Sequence, residues 1–185
     1  IRNARQIPAI ELIRAAIVSG FVAGTSISVA FYSTMLLFGV PFDQSEIWNV
    51  ISVIFLFTIS MESISYFLVL NINNSGILAA IITLIVLPAF MYSGYMVPFE
   101  QMADLPTRIG GWFPLRYYLK SLYLVFNHHQ PLAVAQPFMN KLWQFTGLFF
   151  SLSIVSIIVG QFERKHREKK EKNENVKLNI EEVQS

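Results

Sequence analysis

Glu62 is a residue whose type and position could do chemistry within a membrane-spanning segment. It lies just beyond the middle of an apolar run, residues 47–70, with Ser60, Ser63 and Ser65 close by. A charged carboxylate in hydrocarbon costs several kcal/mol unless it is protonated or paired, so this side chain is expected to face protein or water. Two interpretations stay open. Glu62 is either a cavity-lining or proton-coupled group, or a structural group that hydrogen-bonds another helix or lies near the lipid headgroups.

A second stretch of candidate residues follows an apolar run at residues 77–91. Glycine, proline and aromatic residues interrupt the chain there and are followed by a short amphipathic segment from Leu115 to Phe126. This segment has 12 residues and would span only about 18 Å as a helix, which is too short to cross a bilayer. It is expected to lie in the interface or to enter the membrane and return. The candidate residues for a substrate path or gate are Glu62, Pro88, Ser93, Gly94, Pro98, Trp112, Pro114, Tyr117 and Tyr118.

Several classes of enzyme chemistry lack their motifs in this sequence. There is no cysteine, no Gly-x-x-x-x-Gly-Lys-Ser/Thr loop, no His-Glu-x-x-His and no Gly-x-Ser-x-Gly. The pair His128-His129 precedes Gln130-Pro131 and is interpreted as a solvated loop end. The sequence therefore disfavours an enzyme, and the chain itself is expected to bind no metal and no cofactor.

The composition predicts an all-α membrane protein. Of the 185 residues, 54% are hydrophobic and 14% are charged, whereas soluble domains have about 25% charged residues. The apolar residues form four blocks, each long enough for the roughly 20 residues of a membrane helix. The predicted transmembrane domain covers residues 15–161, with helices at about 15–38, 47–70, 77–97 and 142–161 and a short external hairpin at about 98–140.

Both ends of the chain differ in composition from this domain. Residues 1–14 combine charged and apolar positions, which predicts an amphipathic elbow at the membrane surface. Residues 162–185 interleave Lys and Arg with Glu, which predicts a solvated helical extension that frays into disorder. The interleaved acids argue against nucleic-acid binding and leave contact with anionic lipid open.

The distribution of basic residues predicts the orientation. Four spans put both ends on one side of the membrane, and ten of the 14 Lys and Arg residues lie in those ends. The other four are Arg108, Arg116, Lys120 and Lys141. The positive-inside rule then predicts that both ends are cytoplasmic and that the long segment before the last span is external.

The residues of the second stretch resemble a known family. The run Ser93-Gly94-Tyr95-Met96-Val97-Pro98-Phe99-Glu100-Gln101-Met102, followed by Leu105-Pro106 and Trp112-Phe113-Pro114, is similar to the "Ser-Gly-x-x-x-Pro-x-x-x-Met-Pro" element of ABC-2 type exporter permeases. Here Ala103-Asp104-Leu105 separates Met102 from Pro106, a small insertion. In that family the element ends the fifth transmembrane helix and precedes a re-entrant hairpin. The resemblance covers about residues 8–161 and implies that the chain is a fragment holding the third to sixth helices.

The resemblance also implies a function and partners. The chain would be a permease subunit in a bacterial cytoplasmic membrane, paired with a second permease and with separate ATP-binding cassette subunits that hold ATP and Mg. Its coupling to the ATPase would involve Arg2, Arg5, Pro8 and Glu11. Its substrate would be amphipathic, drug-like or lipid-linked.

Two other functions remain as alternatives. One is a non-transporting membrane scaffold or sensor that docks a cytoplasmic partner through its charged tail. The other is a lipid-modifying enzyme that uses Glu62.

Overall fold

The computed structural model describes residues 9–39, 44–128 and 130–184, and this part of the chain contains helices and no strand. The α-helices are α1 (Ala9–Leu37), α2 (Gln44–Asn71), α3 (Ser75–Tyr92), α4 (Asp104–Gly110), α5 (Pro114–Leu122) and α6 (Leu132–Gln184). A 3₁₀ turn at Phe99–Gln101 lies before α4, and a π-helical turn at Tyr123–Asn127 continues α5.

Four of these helices are long and apolar enough to cross a membrane. The candidate spans are Ile17–Leu37, Ile47–Asn71, Ser75–Tyr92 and Leu132–Phe162. The predicted fold class, an all-α membrane protein with four transmembrane helices and shorter helices between the third and fourth, is confirmed.

Helix α2 lies at the centre of the arrangement and packs against α1, α5 and α6. Its buried face includes Val53 and Ile54, which meet Val125 and Leu142 in a hydrophobic core cluster. Deeper along the same face, the Ser60 hydroxyl bonds to the Leu142 carbonyl at 3.1 Å and to the Thr146 hydroxyl at 2.9 Å. Interhelical hydrogen bonds of this kind hold helices together in lipid, where hydrophobic burial provides little attraction between them.

The small residues of α1 allow it to approach α2 closely, as their spacing suggests. Gly20 and Gly24 are both buried. A Cβ added at Gly24 would lie 2.9 Å from the Phe55 ring, and one added at Gly20 would lie 3.8 Å from Glu62 Cγ. Gly20 and Gly24 thus form a small-xxx-small contact between α1 and α2 within this chain.

Two predicted span limits are wrong. Helix α3 ends at Tyr92 rather than at residue 97, because Gly94 adopts a positive φ of 96° that turns the chain away. Helix α6 begins at Leu132 rather than at residue 142. Its first turns bury Ala135 and Met139 in the core, while Gln136 and Asn140 bond to each other on the exposed face. The polar residues that suggested a loop are thus the outer face of a helix, and the connection between α3 and α6 is shorter than predicted.

The two ends of the described part continue the adjoining spans as helix. From Ala9 onward, α1 runs into its span without interruption, so the described part of the predicted elbow, residues 9–14, belongs to the same helix as the span. Helix α6 continues to Gln184, as expected for the predicted helical extension of the last span, and the fraying of this extension stays a prediction. In sequence, Glu163 precedes Arg167 by four residues and Glu168 precedes Lys172 by four, a spacing that favours helix.

Candidate functional site

Helix α5 reaches the middle of the membrane-spanning layer. The Tyr118 ring stacks on Phe57 of α2, with centroids 4.3 Å apart and planes at 20°. Phe57 lies ten residues into the span that starts at Ile47, which corresponds to about 15 Å of helical rise, half of the roughly 30 Å hydrocarbon layer. Of the two expectations for this segment, the structure therefore favours the re-entrant one.

The π-helical turn brings the chain back from this depth. Val125 is fully buried in the cluster around α2, and the Phe126 ring meets Phe31 of α1 edge-on at 5.5 Å. A π turn widens the helix by one residue and often occurs at functional sites. Here it allows one short segment to contact α1, α2 and α6.

The turn after α3 is built from Ser93, Gly94 and Phe99. The fully buried Ser93 hydroxyl donates to the Phe90 carbonyl at 2.9 Å and accepts from the Tyr95 N–H at 3.3 Å. Gly94 has a φ of 96°, and any Cβ there would overlap the Phe99 ring. The Ser-Gly pair thus ends α3 and makes room for Phe99 against the turn.

Arg116 of α5 connects this turn to the re-entrant helix. The side chain is only 5% exposed, and its Nη1 donates to the Tyr92 carbonyl at 3.2 Å and to the Met102 sulfur at 3.4 Å. The guanidinium also lies 5.1 Å from the centroid of the Phe99 ring. The guanidinium meets the carbonyl end of α3, where the helix dipole is negative.

Gly110 and Tyr117 complete this contact. The missing side chain of Gly110, the last residue of α4, leaves room for the Tyr92 carbonyl and for Arg116 Nη1. The Tyr117 hydroxyl donates to the Gly111 carbonyl at 3.0 Å and so joins α5 to the end of α4. We call the contact formed by Tyr92, Phe99, Gly110 and Arg116 the hairpin latch.

The predicted gate residues fall into distinct places. Three of them lie next to the hairpin latch: Ser93, Gly94 and Tyr117. Pro114 is buried at the start of α5 and lines an apolar cavity of about 200 Å³ with residues of α2 and α3. Other predicted gate residues lie elsewhere: Trp112 is 82% exposed, Pro98 is exposed, and Pro88 lies within α3, which continues through it.

Glu62 lies in a different place, between α1 and α2. Its Oε2 accepts a hydrogen bond from Ser19 at 3.2 Å, and the Ser19 hydroxyl lies 3.0 Å from that of Tyr66. The carboxylate lines a cavity of about 350 Å³ bounded by α1, α2 and α6. It therefore makes an interhelical hydrogen bond and also lines a cavity, which unites the two interpretations left open by the sequence.

The predicted coupling residues lie mostly outside the described part of the chain. Arg2, Arg5 and Pro8 precede Ala9, where that part begins. Glu11 is exposed in the first turn of α1. The assignment of these four residues to ATPase coupling stays a prediction.

Sequence reasoning missed Arg116, Phe99 and Gly110 as members of the site. The sequence analysis uses Arg116 only as one of the four basic residues outside the ends of the chain. The available signal was a cation in a short aromatic segment with no acidic residue nearby. Such a cation at membrane depth must find carbonyls or aromatic rings.

Four apolar spans define an integral membrane protein. The irregular backbone of the hairpin fits this assignment, because such backbone occurs at membrane depth only where protein or a cavity covers it. The family model of the ABC-2 type transporter matches residues 2–127, and the chain belongs to that family. Members of this family are membrane transport subunits that associate with an ABC ATPase. No curated protein and no solved structure matches the chain.

Substitution of Gly94 by Ala is expected to destabilise the protein by about 3 kcal/mol. Roughly 1–2 kcal/mol of this comes from the positive φ, and about 1–3 kcal/mol from the overlap with Phe99. When Phe99 is replaced by Ala, the overlap is removed, and Gly94→Ala should then cost only the roughly 1–2 kcal/mol that comes from the positive φ. A double-mutant cycle of unfolding free energies in detergent measures both terms. Equal costs in the two backgrounds would contradict the role assigned to Phe99.

Proposed function

We propose that this chain belongs to a permease subunit of an ATP-driven exporter. The permease pairs with a second permease, identical or related, and with two ATP-binding cassette subunits that hold ATP and Mg. Its substrate is an amphipathic, drug-like or lipid-linked molecule. The observation that carries the proposal is the re-entrant hairpin, which Tyr118 anchors to Phe57 at mid-span depth in a chain of the ABC-2 family.

The hairpin suits the exit gate of such an exporter. Its contacts to α3 consist of a few polar and aromatic groups centred on Arg116, whereas the opposite side of α5 packs against α2 and α6. A hairpin held to its neighbours by different kinds of contact can release one helix while it stays attached to the others. The basic ends of the chain favour an orientation with both ends cytoplasmic and the hairpin external, in a bacterial cytoplasmic membrane.

Coupling to the ATPase would act through the N-terminal end of α1. Because α1 is one continuous helix from Ala9 to Leu37, a displacement at its start is transmitted to the α1–α2 contact at Gly20 and Gly24. The charged residues Arg2, Arg5 and Glu11 are proposed to receive that displacement.

The experiment that tests this function is purification of the full-length protein from its native membrane in mild detergent. A P-loop ATPase is expected to co-purify, and its ATP turnover is expected to depend on the permease. The absence of such a partner under every nucleotide condition would contradict the proposal.

Deletion of residues 164–185 provides the control against a scaffold. An exporter should retain most of its permease-dependent ATP turnover and export after this deletion. A scaffold that docks its partner through the charged tail should lose its function.

A further inference from the structure

We propose that the cavity between α1, α2 and α6 is a binding site for lipophilic cations, with Glu62 as the counter-charge. This inference rests on the proposed export function only in taking the bound cation as cargo. The binding itself requires no ATP and no partner subunit.

The electrostatics of the spans favour a cation. Glu62 is the one acidic residue within the four spans, and Ser19 is its hydrogen-bond donor among the described residues. No described Lys, Arg or His forms an ion pair with it. A carboxylate at this depth is costly without a compensating charge, so a positively charged ligand gains more here than a neutral or anionic one.

The lining of the cavity suits a cation with an apolar body. Its volume of about 350 Å³ falls within the roughly 300–1,000 Å³ of small-molecule sites. Four aromatic side chains contribute to its wall: Phe21, Phe55, Tyr66 and Phe150. Aromatic faces attract cations as well as apolar groups, so carboxylate and rings together select a delocalised or alkylated cation over a small hydrated one.

The position of the cavity gives access from the lipid. Phe21 is 64% exposed, Phe150 is 42% exposed and Ile59 is 40% exposed, and in a bilayer such apolar surface lies next to acyl chains or a neighbouring subunit. Gly20 is one of the residues that line the cavity, and its missing side chain keeps the space beside Glu62 Cγ open. A lipophilic cation that has partitioned into the membrane can therefore enter the cavity laterally from the bilayer.

The test compares two probes of similar shape and opposite charge, tetraphenylphosphonium and tetraphenylborate. Their binding to the full-length protein in nanodiscs is measured by equilibrium dialysis for the wild type, Glu62→Gln and Glu62→Asp. We expect Glu62→Gln to weaken phosphonium binding at least about tenfold, a factor that corresponds to ~1.4 kcal/mol. Glu62→Asp should retain most of the affinity, and borate binding should not weaken. Ser65→Ala is the matched control, because this exposed hydroxyl on α2 donates to the Met61 carbonyl of its own helix and does not line the cavity among the described residues.

A phosphonium affinity of Glu62→Gln within twofold of the wild type would overturn the proposal. Equal weakening of both probes would also overturn it, because that result indicates general disruption of the helices rather than loss of a counter-charge.

A second measurement uses the wild-type protein alone and so does not depend on how the variants fold. A hydrophobic carbodiimide modifies carboxylates in apolar surroundings, and mass spectrometry reports the labelling of Glu62. Tetraphenylphosphonium should protect Glu62 and tetraphenylborate should not; equal labelling with and without the cation would overturn the site. Cation binding without a co-purifying ATPase would refute the export function alone, and a functional ATPase complex without cation binding would refute this site alone.

Discussion

Gly110→Ala is expected to lower the free energy of unfolding by about 3 kcal/mol, the upper end of the cost of overpacking. The added Cβ would overlap the carbonyl oxygen of Tyr92 and lie 2.7 Å from Arg116 Nη1. The obstructing Tyr92 atom belongs to the backbone, which cannot rotate away as a flexible side chain can. The end of α3 and the start of the hairpin must therefore separate. Unfolding followed by circular dichroism in detergent measures the loss.

Two glycines provide controls for Gly110→Ala. At Gly111 the nearest atom to an added Cβ, the Arg108 carbonyl oxygen, is 3.2 Å away, so a shift of a few tenths of an ångström in this half-buried turn accommodates it. At Gly147, within α6, nothing lies within 4 Å, and Ala should be neutral or stabilise the helix by up to ~1 kcal/mol. A loss at Gly110 no greater than that at Gly147 would show that the hairpin latch is not tightly packed.

Arg116→Ala is expected to cost about 3 kcal/mol and to detach the hairpin from α3. The substitution removes a charged hydrogen bond to Tyr92, worth roughly 1.5–3 kcal/mol, and a cation–aromatic contact worth about 1 kcal/mol. Relief from burying the guanidinium offsets part of this, but the side chain is 5% exposed, so its loss also leaves an unfilled space. The substitution is therefore expected to lower the free energy of unfolding. Arg116→Lys should be intermediate, because lysine keeps the charge but lacks the planar group that reaches three partners.

Detachment of the hairpin can be measured separately from stability. Tyr95 and Trp112 are 70% and 82% exposed on the two sides of the latch, and the chain has no cysteine of its own. Spin labels on cysteines at these two positions should give a narrow distance distribution with Arg116 present and a broad one in Arg116→Ala. Arg108→Ala, at an exposed position on α4, should change neither the distribution nor the stability by more than ~0.5 kcal/mol. An unchanged distribution in Arg116→Ala would contradict the latch.

In an exporter, the latch would decide when the path opens. Separation of α5 from α3 breaks the contacts of Arg116 but preserves the Tyr118–Phe57 stack and the Tyr117–Phe145 contact at 6.0 Å. The hairpin can therefore tilt as a unit about its attachment to α2 and α6. Arg116→Ala is expected to reduce coupling between ATP turnover and export rather than ATP turnover itself.

The sequence by itself determined the number and kind of spans, because hydrophobic length is a local property that each segment carries without its neighbours. It also determined that the segment from Leu115 is too short to cross the bilayer. This conclusion depends on helical rise, which is again local.

Only the tertiary structure decided which residues meet. Arg116 and Tyr92 are separated by 24 positions in the chain and Glu62 and Ser19 by 43, and no local pattern specifies such pairs. The start of α6 at Leu132 was also decided there, because the apolar face of residues 132–141 is recognisable as a helix only once Ala135 and Met139 have α2 and α5 to pack against. In lipid, polar contacts between helices select the arrangement, and their partners come from distant parts of the chain.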